Sequence, residues 1–490
     1  MLQSRSRCAI LCYTVFWKMK IKTRTYREKR FIFMQDQAVR EKGKQDERLG
    51  SAPLGRLMIS MALPAVTAQL INVLYNIVDR IYIGHIPGHG DVALTGVGVT
   101  FPIIMLISAF SAFAGMGGAP LASIELGKRD YKKAEKILGS SAGLICLFSA
   151  VLTVVFSIFK TPVLYAFGAS EATIGYAESY IGIYLIGTIF VQAALGLNTF
   201  ISGQGASKTA MFSVLIGAVI NICLDPVFIF LFHMDVQGAA LATIISQAVS
   251  AAWVLRFLTS EKSVVRLKIS CMKPDRKTVL QIAALGVSPF IMQSTESLVS
   301  ITLNSGLQKY GGDLYVGTMA IMTSIMQLIT IPLQGITQGV QPIISYNYGA
   351  GNKERVISAF LRMLAITFTG MFVFCGIAVV FPEVYAGIFT SNEALVAITA
   401  EVMPTYFLGM TFFGIQSACQ STFVALGQAK VSAFIALLRK VILLIPLAIV
   451  FPKFMGVMGI YRAEPVADII SVLTTATLFV ITAKRLLRKM

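Results

Sequence analysis

The chain has 490 residues, of which 56% are hydrophobic and only 13% charged, and its mean hydropathy is +0.73. A soluble protein carries about 25% charged residues, so this composition excludes a soluble globular fold. The net charge of +18 does not point to nucleic acid either, because most of the Lys and Arg sit at the amino terminus and in short segments between apolar runs, as in loops held on the inner side of a membrane by positive charge.

Residues 1–33 carry nine Lys and Arg around the short apolar patch AILCYTVFW, with no small-residue cleavage site behind it, which argues against a signal peptide. Met34 opens a polar leader, MQDQAVREKGKQDERLG. We read residues 1–46 as a basic extension outside the fold, with 1–33 as an upstream addition. Seven Cys are scattered without a CxxC, and the five in or beside predicted spans read as small apolar residues.

From there apolar runs of 18 or more residues recur, each long enough to cross a hydrocarbon core of roughly 30 Å as a helix. They are continuous rather than alternating, unlike barrel strands. Runs and breakers predict twelve helices, at 57–83, 94–124, 137–160, 178–202, 209–232 and 237–258, then 280–308, 314–340, 356–381, 398–425, 431–451 and 460–483. The intervening segments GKRDYKKAEK, SEKSVVRLKISCMKPDRK and GAGNKER and the tail KRLLRK are basic, whereas GHIPGHGD, FHMDVQG and FPEVYAGIFTSNEA have no Lys or Arg. This alternation predicts a multi-pass membrane protein with both termini in the cytoplasm. It divides the chain into an N-lobe (47–259), a linker (260–279) and a C-lobe (280–490).

The lobes repeat one another. GAPLASIELGKRDYKKAE (118–135) aligns with VQPIISYNYGAGNKERVI (340–357) at an offset of 222, matching Pro120 to Pro342, Ser123 to Ser345 and Gly127 to Gly349. Six spans per copy is an even number, so the copies share one orientation and are related by an axis along the membrane normal. That is a transporter architecture with its site at the interface.

Against this apolar background a few polar groups stand out. Asp79 ends LINVLYNIVDRIYIG, with Asn72, Tyr75 and Asn76 on about the same helix face. NICLDPVFIF places Asn221 and Asp225 one turn apart, with Pro226 next. Thr243 lies about one turn into the sixth span, and Asn198 is the one amide near the inner end of the fourth. A carboxylate in mid-span has to be protonated, paired or hydrated. In the second copy the region of Asn221 and Asp225 reads LLIPLAIV, which keeps a proline and drops the polar pair, and Asp79 maps to Asn304. That asymmetry favours a specific first-half site. Proline frees the carbonyl of Ile222, so carboxylates, amide, hydroxyl and carbonyl form a set of hard oxygen ligands for a small cation; the same carboxylates are equally suited to hold a proton.

In the second half, Met292, Gln293 and Glu296 mark the seventh span, and Glu464 and Asp468 share a face of the twelfth. Glu296, and likewise Glu464 with Asp468, reads either as a contact for a cationic substrate or as a partner of Arg462, Arg439 or Lys440. Met residues suit a repackable cavity.

VDRIYIG, NxxxDP, GAALATIIS, SGQGASK and GVQPIISYNYGAGN together resemble the multidrug and toxic compound extrusion (MATE) family, in the flavour of its bacterial MepA-type and DinF-like members, over roughly residues 47–488. The resemblance implies an all-α polytopic membrane protein, two parallel six-helix repeats working by alternating access. It implies a cation-coupled (H⁺ or Na⁺) antiporter that exports organic, mostly cationic compounds from the cell across the plasma membrane. No enzyme activity, cofactor or nucleic-acid partner is expected, and the chain is expected to be a monomer. The family's cation site falls on Asp79, Asn198, Asn221, Asp225 and Thr243, with Na⁺, if used, at Asp79 and Asp225. Asn72, Tyr75, Asn76, Met292, Gln293 and Glu296 are expected along the substrate cavity, and Pro64 and Pro226 as hinges. A lipid-linked oligosaccharide flippase of the same superfamily is the alternative; it requires basic residues lining the cavity.

Overall fold

In a bilayer every backbone N–H and C=O must be satisfied within the chain. The computed structural model describes residues 48–273, 275–390 and 392–487, and among these it meets that demand with helices and no strand. The expected leader, 1–46, lies outside the described residues. The first half comprises α1 (Leu54–Gly84), α2 (Gly90–Gly127), α3 (Tyr131–Ala166), α4 (Ile174–Ile186), α5 (Thr188–Gly203), α6 (Ser207–Pro226) and α7 (Asp235–Thr259). A 3₁₀ turn, Ile269–Cys271, precedes the second half. That half holds α8 (Arg276–Gly311), α9 (Asp313–Gly349), α10 (Lys353–Val380), α11 (Pro382–Phe389), α12 (Glu393–Met410), α13 (Phe413–Ala425), α14 (Ala429–Leu437), α15 (Ile445–Val450), α16 (Pro452–Met455) and α17 (Val457–Leu487).

Grouped into membrane crossings these helices give the twelve-helix arrangement of two repeats. Eleven crossings are apolar enough to be recognised by composition, counting α4 and α5 as one bent span. The twelfth, α8, is a 36-residue helix whose stretch from Gln293 to Ser297 is polar throughout. Side chains such as Ile59 (67% exposed) and Phe159 (53% exposed) point outward, as lipid-facing groups of a membrane bundle do.

Four predicted spans are not continuous; the one at 431–451 is π-helical at Leu438–Leu444, between α14 and α15. The span expected at 178–202 bends by 60° at Gly187, where a Cβ would stand 2.5 Å from Ile244 on α7. Only glycine lets α7 come that close. The span at 398–425 breaks at Thr411–Phe412 between α12 and α13. The span at 209–232 changes pitch after Pro226: Val227–Leu231 is π-helical, and Phe232 N donates to Val227 O at 2.9 Å. A proline cannot donate to the residue four back, and a wider turn absorbs the fault. The loop expected at 381–394 also folds in part, as α11, with Pro382 at its first turn.

The repeat is visible atom by atom. Ser123 Oγ donates to Gly203 O at 2.7 Å, and Ser345 Oγ to Ala425 O at 3.0 Å; both acceptors lie 80 residues on. Asp130 caps α3 by accepting from Lys133 N, and Asn352 caps α10 by accepting from Arg355 N. The preceding residues, Arg129 (φ 63°) and Gly351 (φ 74°), share the left-handed conformation.

The repeat axis runs between α2 and α9. A Cβ on Gly127 would stand 2.0 Å from Tyr346 O, and one on Gly349 would stand 1.9 Å from Ile124 O. The two contacts exchange under the 222-residue offset, so the helix ends cross with backbones touching. Higher up, Gly117 abuts Gly286 on α8 and Gly335 abuts Val66 on α1. The described hydrogen bonds between the α1–α7 and α8–α17 bundles lie at mid-depth and at the face of the basic loops. Gln69 Nε2 donates to Gln338 Oε1 at 2.9 Å. Immediately before α1, Leu49 O accepts from Asn347 Nδ2 (3.0 Å) and Arg355 Nε (3.3 Å).

Candidate functional site

Three helices carry the polar cluster of the first half because each has a reason to stop being apolar there. On α6, Asn221 and Asp225 occupy one face just before Pro226, where the pitch changes. Asn221 Nδ2 donates to Asp225 Oδ1 at 3.2 Å and approaches Thr243 Oγ1 of α7 at 3.5 Å. All three residues are buried. On α1, Asp79 is buried as well, and its carboxylate is near enough for its charge to act on that of Asp225. Tyr75, one turn earlier, faces both carboxylates.

Arg80 forms no ion pair with Asp79, although its charge is near enough to act on that carboxylate. Its guanidinium lies over the ring of Phe101, 5.4 Å from the centroid, and among the described residues neither Asp79 nor Asp225 has an ion-pair partner. Asp79 Oδ1, Asn221 Oδ1 and Asp225 Oδ2 are all buried without a hydrogen-bond partner among the described residues. Buried polar oxygens are normally satisfied, and a buried carboxylate left alone is costly. Three in one cluster form an acceptor set that a proton or a small cation would complete.

Two tyrosines complete the wall and were not identified from sequence. Tyr180 and Tyr184 of α4 are buried and stacked, with centroids 6.2 Å apart. Tyr180 lies beside Thr243, near enough to Asp79 for that charge to act on it. Their signal is the i, i+4 pair in YIGIY, both on one helix face.

Below Tyr75, toward the basic loops, lies a cavity of about 300 Å³. Gln69, Asn72, Asn198, Gln247, Gln293 and Gln338 supply amides to its wall, serines and alanines fill most of the rest, and among the described residues no charged side chain lines it. Tyr75 lines this cavity and is near enough to both carboxylates for their charges to act on it.

The remaining predicted residues divide as follows. Asn72, Tyr75 and Gln293 line the cavity together. Asn76 is exposed and donates back to Asn72 O at 2.6 Å. Asn198 also lines the cavity; its Nδ2 donates to Ala210 O at 3.2 Å, and no described hydrogen bond links it to Asn221, Asp225 or Thr243. In the second half Gln420 donates to Ser432 O at 3.0 Å, which is the same bond 222 residues on. Pro64 is buried within α1.

Glu296 belongs to a separate cavity of about 340 Å³ in the second half. Its carboxylate is paired with Lys440, whose Nζ also donates to Met292 O at 2.9 Å. The expected single substrate cavity is thus two, and the reading of Glu296 as a partner of Lys440 is the one the structure displays.

Comparison with known proteins agrees with this architecture. The MatE family profile matches residues 64–227 and 289–450, once in each half. The chain is 26% identical over 431 residues to the multidrug export protein MepA of Staphylococcus aureus (strain MRSA252), spanning 86% of this chain and 94% of that protein. MepA of Staphylococcus saprophyticus is 26% identical over 435 residues, 88% of this chain and 94% of that one. Among solved structures, a MATE crystal structure in the bent conformation superposes with a TM-score of 0.84 at 21% identity, covering 91% of this chain and 99% of that one. An outward-facing multidrug resistance MATE family transporter gives 0.82 at 21%, covering 90% and 98%. With the family profile matching well over half of its length, in two copies on a duplicated twelve-helix fold, the chain belongs to the MatE family.

Proposed function

We propose that this protein is a cation-coupled multidrug exporter of the plasma membrane, with H⁺ or Na⁺ entering at Asp79 and Asp225 and organic cations leaving by alternating access. Multidrug export is supported by the MepA relatives. The observation that carries the coupling is the set of three buried oxygens of Asp79, Asn221 and Asp225 that have no partner among the described residues, with Tyr75, which lines the amide-rich cavity, within reach of both carboxylate charges. Binding a positive charge there would relieve carboxylate repulsion and let α1 and α6 approach about Pro64 and Pro226. Tyr75 would carry that movement to the cavity. An ion drives such a cycle only through different affinity for the two states.

The basic loops are read as cytoplasmic, which makes this conformation closed inward, and the protein is read as a working monomer. The cavity wall speaks against the flippase alternative, since among the described residues it presents no Lys or Arg to hold a pyrophosphate. Efflux of ethidium from inverted vesicles, driven separately by a pH or a Na⁺ gradient, tests the reading: one gradient should drive it, and failure of both would refute coupling.

A further inference from the structure

The second half also holds buried carboxylates, and the repeat shows what became of its equivalent of the ion cluster. Three anchors set the correspondence. Tyr184 and Tyr406 occur in the matching YLIG and YFLG. The amide bonds of Asn198 to Ala210 and Gln420 to Ser432 align α6 with α14 at an offset of 222. Gly238 and Gly459 each sit in the first turn of their helix against the end of the preceding one, at Phe228–Ile229 and Phe451–Pro452. Five residues beyond these glycines stand Thr243 and Glu464. The offset of 222 sets Arg439 where the first half has Gly217.

Arg439 bridges two acids. Its Nη2 donates to Glu464 Oε1 at 2.9 Å and its Nε to Asp468 Oδ1 at 2.6 Å. The guanidinium carbon lies 4.5 Å from the Phe413 ring centroid. The side chains of Arg439, Glu464 and Asp468 are 13%, 6% and 0% exposed. Glu296 of α8 also faces Arg439 but is taken up by Lys440. Asp468 Oδ2 is buried and has no partner among the described residues. Arg439, Lys440, Glu464 and Tyr406 all border the cavity of about 340 Å³, so the cluster is open on the Arg439–Glu464 side, while Asp468 lies fully buried behind it.

We propose that Glu464 and Asp468 form a second cation site, specific for a planar guanidinium, which Arg439 fills with its own side chain. A planar fork donating to two carboxylates is what a guanidinium offers and an ammonium does not. The second half then carries its cation covalently and keeps one packing, while exchange of free ions is confined to Asp79 and Asp225. That last clause rests on the function proposed above; the site itself does not.

The test uses thermal melting of the purified full-length protein, which requires no transport. Melting is followed in methylguanidinium, tetramethylammonium and sodium chlorides at matched ionic strength. Arg439→Ala should melt well below the wild type, because it leaves two buried acids uncompensated, and methylguanidinium alone should restore much of the loss in a saturable manner. The wild type should not distinguish the three salts. The triple variant Arg439→Ala/Glu464→Gln/Asp468→Asn, which removes the charges together, should fold and ignore methylguanidinium. Wild-type melting of Arg439→Ala, equal rescue by all three salts, or a methylguanidinium response in the triple variant would overturn the proposal. If Arg439→Ala cannot be recovered folded, the triple variant decides: folded and insensitive supports a charge-built site, and unfolded contradicts it.

Discussion

Asn221 gives its amide hydrogens to Asp225 and Thr243 and keeps its own Oδ1 free of any described partner. The side chain therefore holds the carboxylate in place with one end and offers an acceptor with the other. Asn221→Leu should abolish both functions. We expect ion-driven efflux to fall by about tenfold or more, the loss of a charge-assisted bond of roughly 1.5–3 kcal/mol. Counterflow transport without an ion gradient should fall less. Proteoliposome assays in the two modes measure the difference.

Asn198 makes a prediction of the opposite kind. Its bond to Ala210 O is repeated by Gln420 to Ser432 O in a half that lacks the acidic pair, so the bond fastens one helix to the next. Asn198→Ala should lower stability by about 1 kcal/mol and leave the ion dependence of efflux unchanged. A shifted ion dependence would place Asn198 on the ion path.

These two asparagines also show what sequence could and could not reveal. Asn221, Asp225 and Thr243 were legible because helical spacing puts the first two on one face and the repeat removes them from the other copy. Asn198 is equally polar in sequence, and its bond became interpretable only when the same bond was seen at Gln420. The pairing of Glu296 with Lys440 joins residues 144 positions apart, and no local pattern fixes such a contact. Tyr180 and Tyr184 were passed over because tyrosines in an apolar run look like packing until their neighbours are known. The bend at Gly187 was hidden for a related reason: it depends on Ile244 of another helix. Helix count and repeat come from periodicity and loop charge, which are local, and they emerged nearly intact.

The crossing of α2 and α9 should be intolerant of any side chain. A Cβ at Gly349 would lie 1.9 Å from Ile124 O, a backbone atom that cannot turn aside. Gly349→Ala should force the helix ends apart, with an overpacking cost of about 1–3 kcal/mol, and favour the state open toward the basic loops. Labelling of a cysteine introduced at Ser345 should accelerate relative to the parent protein.

Asp275 supplies a pH dependence outside the membrane. Hydrogen bonds from Thr278 and Lys136 hold its carboxyl below the ordinary carboxylate range, and it caps α8 by accepting from Thr278 N at 3.2 Å. A depressed folded-state pKa contributes stability present above the unfolded value and lost as pH falls through the folded one. Amide exchange at the start of α8 should therefore be faster in Asp275→Ala than in wild type at neutral pH. The two should converge only in acid below the normal Asp range.

The central claim is that the charge of Asp225, set beside that of Asp79 and with no ion-pair partner among the described residues, couples ion entry to export. Its most direct test is Asp225→Asn, which preserves shape and removes the charge, with ethidium efflux followed in proteoliposomes under an imposed H⁺ or Na⁺ gradient. The account predicts a variant that melts like the wild type, still binds ethidium, and shows no gradient-driven efflux. Efflux at the wild-type rate under the same gradient would contradict it.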